Sequence, residues 1–217
     1  MVSRLPGCGR NYKTEFMKWI ARSVSYVFHP LIMPTVGLLL ILNSGTYLAL
    51  LDPAAKRAVV FVMALGTLLF PLMMLPVLYY RDLTQTLKNR NMEKNLVPQL
   101  IIFVLYVITF IYFARLPLSH VIHGYILSAP LVLLLLMVVN LKFGACPHMA
   151  ALGGISGLII TLIILFRTPL DGFLVLSLLA AGLTGSARLA SGHRKPGELL
   201  TGFVLGFGVV TVTLLVY

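Results

Sequence analysis

Seven apolar runs separated by short polar connectors account for most of this 217-residue chain. They lie near residues 27–51, 57–80, 96–114, 121–141, 148–167, 170–187 and 198–217. Crossing a bilayer takes about 20 predominantly apolar residues in a helix. In hydrocarbon the backbone polar groups have to be satisfied within their own segment, so each run predicts a helix rather than irregular chain. The pattern predicts an all-α, polytopic integral membrane helix bundle of six to seven transmembrane helices. The run 170–187, Gly-rich and opened by Asp171, is its weakest member. Residues 1–26 read as a basic interfacial N-terminal segment, with Phe16 to Tyr26 as a short amphipathic helix carrying Trp19 and Tyr26 at headgroup level. They lack the apolar core of a cleavable signal peptide. Residues 27–217 form a single transmembrane domain.

Composition agrees with this pattern. Charged residues make up 11% of the chain, under half of the roughly one quarter that a water-soluble domain carries. The two cysteines, Cys8 and Cys146, are far apart and belong to no Cys/His ligand spacing. They imply neither a disulfide framework nor a zinc site. No metal ligand set and no dissociable cofactor is expected.

Glycines gather late in the chain. Gly153 and Gly157 are four apart, as are Gly202 and Gly206, with Gly182 and Gly185 nearby. That spacing aligns them on one helix face and predicts close helix packing. Among other single residues, His29-Pro30 and Pro34 predict a kink opening the first run. His120 and His123 read as interfacial. Asn43 and Asn140 read as interhelical hydrogen-bonding or boundary groups. Tyr79, Tyr80, Tyr106, Tyr112, Phe110 and Phe113 read as span-end and lipid-facing aromatics.

Charge changes the picture more. The net charge is +11, from 17 Lys and Arg against six acids. With seven spans, Arg4, Arg10, Lys13, Lys18, Arg22, Arg81, Lys88, Arg90, Lys94, Lys142, Arg188, Arg194 and Lys195 fall on one side. Only Lys56, Arg57, Arg115 and Arg167 fall on the other. The positive-inside rule makes the first side cytoplasmic, and such loops hold anionic membrane lipids. No basic, aromatic-rich soluble module points to nucleic acid.

Three polar clusters share that basic side: Lys88 to Pro98, Lys142 to His148, and Ser186 to Glu198. Together they bring cations, two histidines and a carboxylate to one face. Fixed cations neutralise a phosphate and its transition state. A histidine can attack phosphorus, a carboxylate can orient it, and a second histidine can protonate the leaving oxygen. Cations that only hold headgroups and set topology would produce the same one-sidedness.

Spacing adds to this inventory. From Arg188 the third cluster reads R-x3-G-x3-P-x-E-x3-G-x3-G, through Gly192, Pro196, Glu198, Gly202 and Gly206. This resembles the third signature of the type 2 phosphatidic acid phosphatase and vanadium haloperoxidase superfamily, S-R-x5-H-x3-D with trailing glycines. His148, followed by Met149-Ala150-Ala151, resembles the histidine of the P-S-G-H second signature. The first cluster, closed by Pro98, loosely resembles K-x6-R-P. The opening Phe28-His29-Pro30-Leu31-Ile32-Met33-Pro34 is similar to small bacterial members, so the resemblance implies a bacterial inner-membrane protein with a phosphatase-like core over about 80–217.

The departures are specific. The family's nucleophilic histidine falls at Arg194, one place beyond His193. Ala187 precedes the arginine, Glu198 replaces the aspartate, Ala145-Cys146-Pro147 replaces P-S-G, and Val97 takes the arginine place of the first signature. Two mechanistic readings follow from the resemblance. In one, His193 attacks phosphorus, Glu198 orients its ring and His148 is the acid, while Lys88, Arg90, Lys94, Arg188 and Arg194 cradle phosphate of a lipid or isoprenoid. In the other, Arg194 marks the end of covalent chemistry, leaving an inactive protein of the same fold that binds anionic headgroups or is purely structural. A small transporter is a third class, disfavoured because no repeat and no mid-span charge accompanies it.

The resemblance places the site on the outer face of the inner membrane, whereas the charge count places it in the cytoplasm. With seven spans and a cytoplasmic site, a reporter active only outside the cytoplasm and fused after Tyr217 is expected to be active. A silent reporter overturns the charge-based orientation.

Overall fold

The computed structural model describes residues 30–45, 52–73, 96–142, 144–190 and 195–217. Each described stretch of length is helical, and no strand occurs among the described residues. The helices are α1 (Met33–Asn43), α2 (Pro53–Met73), α3 (Leu96–Phe113), α4 (His120–Asn140), α5 (Pro147–Phe166), α6 (Asp171–Ala190) and α7 (Pro196–Val216). Five of them, α2 and α4 to α7, are long and apolar enough to cross a membrane. Their outer faces expose large apolar side chains such as Phe61, Phe70, Ile164, Leu176, Leu183 and Val204. Such a surface is stable only against lipid. The chain is an integral membrane protein.

Local chemistry explains several helix ends. The Asp52 carboxylate accepts the Ala54 N–H at 2.9 Å as α2 begins, replacing a backbone partner that a first turn lacks. Pro53, Pro147 and Pro196 open α2, α5 and α7, at positions where a missing N–H costs nothing. Pro34 does the same in α1, so it starts this helix instead of kinking it. The expected run 170–187 falls in α6, which starts at Asp171, continues to Ala190 and is long enough to cross a membrane.

The core is built on α5, which is more enclosed than any other helix of span length. Its closest partner is α7, lying parallel to it. A Cβ added at Gly206 would stand 1.9 Å from the Ala150 carbonyl oxygen, and one at Gly153 2.2 Å from that of Phe203. Gly157 and Gly202 are similarly pressed against Phe207 and Cys146. The two backbones touch with no side chain between them, as the glycine spacing predicts. On its other side α5 carries α6, joined by Ser156 and Ser177 hydroxyls 3.1 Å apart.

The remaining helices pack around this pair. His123 in α4 reaches the carbonyls of Ser119 at 3.2 Å and Phe113 at 3.0 Å, fastening the α3–α4 turn. Tyr125 donates to the Met33 carbonyl at 3.3 Å and lies over Gly37, which itself faces Leu158. Leu158 is mid-way along α5, so the described part of α1 begins near the middle of the bundle. In α2 a π-turn at Leu65–Leu69 sits beside a buried hydroxyl pair, Thr35 and Thr67, 3.1 Å apart. Tyr106 donates to the Thr67 carbonyl at 3.4 Å.

Two expectations change. Tyr106 and Phe113 are 4% and 0% exposed, so they are core groups, whereas Tyr112 faces outward. A helix in lipid has no polar face to mark its outside, and position in the apolar run does not reveal the inside. Of the two readings of the asparagines the boundary one holds: Asn43 and Asn140 are the last residues of α1 and α4. Asn43 donates to Leu39 within α1 and Asn140 accepts from Ala145 in the following turn, with no side-chain bond to another helix among the described residues.

The glycine contact is testable by pairing two substitutions. Gly206→Ala forces backbone apart and is expected to destabilise by about 1–3 kcal/mol, the usual cost of overpacking. Gly182 has nothing within 4 Å of an added Cβ, so Gly182→Ala is expected to be neutral or stabilising by up to about 1 kcal/mol through helix propensity. Equal unfolding temperatures for the two variants would remove the backbone contact from this account.

Candidate functional site

The site is built where three helix ends meet. A turn through Gly144, at φ +68°, leads into α5, a left-handed conformation that glycine adopts without strain. The Ala145 N–H is held by the Asn140 side chain, and the Cys146 N–H donates to the Glu198 carbonyl at 3.0 Å. Thus the first turn of α7 is stitched directly to the start of α5. Thr201 closes the join, donating to Gly197 at 2.9 Å with the Gly144 carbonyl 3.4 Å away.

This join positions two of the expected residues. His148 is the second residue of α5, half-buried, with its Nδ1 atom enclosed. Glu198 lies in the first turn of α7, half-buried, with its side chain against Gly144; a Cβ there would touch its carboxyl carbon at 3.4 Å. A Cβ at 144 would make ordinary van der Waals contact with that side chain, so it is the left-handed backbone rather than crowding that favours glycine here.

Register along α6 adds the third. Ser177 meets Ser156, and Gly185 meets the Met149 side chain. The pair is antiparallel, so residues later in α6 meet earlier ones in α5. Arg188 therefore comes level with the α5 N-terminus, the end at which His148 lies. It occupies the last turn of α6, where a cation complements the helix dipole. Its Nε atom is buried and has no hydrogen-bond partner among the described residues. One turn back on the same face, Thr184 is 1% exposed and its hydroxyl also lacks a partner among them.

The electrostatics of this end favour an anion. α5 and α7 run parallel, so both present their N-termini and the positive ends of their dipoles here, set against the C-termini of α4 and α6, and the balance is tipped by full charges. Arg188 adds a full charge, and Lys142 and Lys195 are exposed nearby in sequence. Among the described residues no three His, Cys, Asp or Glu side chains converge as a metal set. The Cys146 thiol is buried at the join.

The structure thus brings His148, Arg188 and Glu198 to one end of the bundle. His193, Arg194, Lys88, Arg90 and Lys94 lie outside the described residues. So do residues 1–26, His29, Tyr79 and Tyr80. Thr184 was not anticipated, although its place four residues before Arg188, on the face of Ser177, Ala180, Ala181 and Gly185, is a usable signal. Compared with protein-family models, curated proteins and solved structures, the chain matches none.

Thr184→Val removes a buried hydroxyl while nearly keeping its shape. An unsatisfied buried polar group costs about 1–3 kcal/mol, so this variant is expected to unfold at the same temperature or higher. A drop of several degrees would mean that the hydroxyl has a structural partner.

Proposed function

We propose that this chain is a membrane-embedded phosphatase acting on a lipid or isoprenoid phosphate, a divergent relative of the type 2 phosphatidic acid phosphatases in a bacterial inner membrane. α1 and α3 would complete its six to seven crossings. The observation that carries this reading is the buried Arg188 Nε, which has no hydrogen-bond partner among the described residues, at an end where two parallel helix N-termini meet. Burying a guanidinium donor without an acceptor is costly, and a phosphate oxygen supplies the missing acceptor. Helix N-termini bind phosphate through the same donors and dipole.

The chemistry follows from the residue set. Arg188 and the loop cations Lys88, Arg90, Lys94 and Arg194 hold the three phosphate oxygens. His193, its ring oriented by Glu198, attacks phosphorus, forming an N–P bond as the ester P–O bond breaks. His148 gives its proton to the departing alkoxide, so the lipid leaves as an alcohol. Water, deprotonated by His148, then attacks the phosphohistidine, releasing inorganic phosphate and restoring both histidines. Arg194 stands where the superfamily has its nucleophile, which favours one alternative: a protein that binds the headgroup and does not turn it over.

Purified protein in nanodiscs would be assayed for phosphate release from phosphatidic acid and from a polyprenyl phosphate. Wild type is expected to release phosphate, with His193→Ala and His148→Ala lowering the rate by at least about 100-fold, the usual scale of acid–base and nucleophilic groups. Equal rates in all three reject the catalytic assignment. Phosphate-lipid binding without turnover, lost in Arg188→Met, would establish the binding reading instead.

A further inference from the structure

A cavity of about 310 Å³ lies between α1, α3, α4 and α5, with Val210 of α7 also in its wall. Its wall includes Ile102, Tyr106, Tyr125, Leu133, Ala151 and Ile155, and is overwhelmingly apolar. The few hydroxyls around it are already committed. Tyr125 donates to the Met33 carbonyl, Tyr106 to that of Thr67, and Ser128 to that of Tyr125 at 2.6 Å. A buried water needs two to four polar partners, and these hydroxyls direct no donor into the space. Its natural occupant is hydrocarbon.

The position of the cavity says which hydrocarbon. Pro147, Ala150 and Ala151 in the first turns of α5 form part of its wall, and Pro147 is bonded to both Cys146 and His148. Gln99 and Leu136 line it from the ends of α3 and α4 that lie at this same face. From Pro147 to Ile155 the wall descends eight residues of helix, about 12 Å at 1.5 Å per residue. The space thus starts at the level of the α5 N-terminus and runs into the middle of the membrane. It lies on the face of α5 opposite the one that Met149 and Ser156 turn to α6, so a headgroup over that N-terminus has the cavity on one side and Arg188 on the other. An apolar cavity of about 150 Å³ takes benzene, so 310 Å³ accommodates roughly a dozen carbons. That is one chain, and far too little for the two tails of a diacyl lipid.

We infer that this cavity holds the hydrocarbon chain of a single-chain lipid phosphate, whose phosphate lies at the Arg188 end. The headgroup half of this statement rests on the proposed function; the chain half rests on the cavity alone. Single-chain specificity follows because a second tail would have to stay in the bilayer while the headgroup is drawn inside the bundle rim.

The test uses full-length protein in nanodiscs and two photoactivatable probes, dodecyl phosphate and dodecanol, each with a diazirine near the chain end. Peptide mapping is expected to place both labels on Tyr106, Tyr125 and Leu133, at least tenfold above lipid-facing Leu176 and Val204. Ala129→Trp, which fills the cavity, is expected to abolish both labels; Leu176→Trp on the outer face leaves them intact. Arg188→Met should lose the phosphate label and keep the alcohol label. If Arg188→Met leaves both labels, the phosphate half fails and the chain half stands. Labels spread evenly over outer faces, or unchanged in Ala129→Trp, overturn the chain site. Competition by dioleoyl phosphatidic acid as effective as that of unlabelled dodecyl phosphate overturns single-chain selection.

Discussion

The contact on which the bundle depends is the backbone-to-backbone approach of α5 and α7. In water two helices are driven together by their apolar faces, but lipid tails solvate leucine as well as another helix does. What remains is close packing, and that needs small residues where the chains meet. Gly153, Gly157, Gly202 and Gly206 supply it, letting main-chain carbonyls rest against the opposite helix. Because the pair is parallel, its approach also determines the polarity of one membrane face. Two helix N-termini are held side by side, and the Cys146 to Glu198 hydrogen bond locks their levels. The position of Glu198 against Gly144 and the exposure of both dipoles at one rim are consequences of that approach.

Polar groups in the interior are handled in pairs. Thr35 with Thr67, and Ser156 with Ser177, join neighbouring helices at mid-membrane depth. Many of these hydroxyls also bond a carbonyl of their own helix, as Thr67 does with Met63 and Ser177 with Leu174. Thr184 and Arg188 depart from that economy at the end where the helix termini converge, and Thr168 and Thr211 do so elsewhere in the bundle, each without a hydrogen-bond partner among the described residues. The contrast with the satisfied wall of the inner cavity is the physical reason to assign charge to one region and hydrocarbon to the other.

Much of the architecture is legible in the pattern of residues. Long apolar runs can be little other than helices, and four-residue glycine spacing announces a tight crossing before any partner is known. Alternation of spans is enough to bring His148, Arg188 and Glu198 to one end, since odd and even loops fall on opposite sides. The burial of Tyr106 and Phe113 was illegible for the converse reason: in lipid both faces of a helix are apolar, so periodicity carries no inside. Thr184 and Tyr125 are single groups whose role arises only from neighbours on other helices. Gly144 could be read as a turn, yet its pressing against Glu198 depends on a contact between segments more than 50 residues apart. The cavity has no one-dimensional signature, being bounded by five helices.

The order in which these parts are made differs from the order in which they hold together. α5 is the most enclosed span, but its main partner α7 comes later in the chain. At synthesis rates of about 5–20 residues per second, some 50 residues separate Gly153 from its counterpart contact at Phe203, roughly 3–10 s of translation. During that interval α5 stands in the bilayer with its glycine face uncovered and its Cys146 amide without the Glu198 carbonyl. Until α7 has been made the seam has no partner helix, and the rim at the α5 N-terminus is completed only when α7 packs against it. Biogenesis, rather than the finished fold, is the stage at which this seam is most exposed to competing helices and to quality-control proteases.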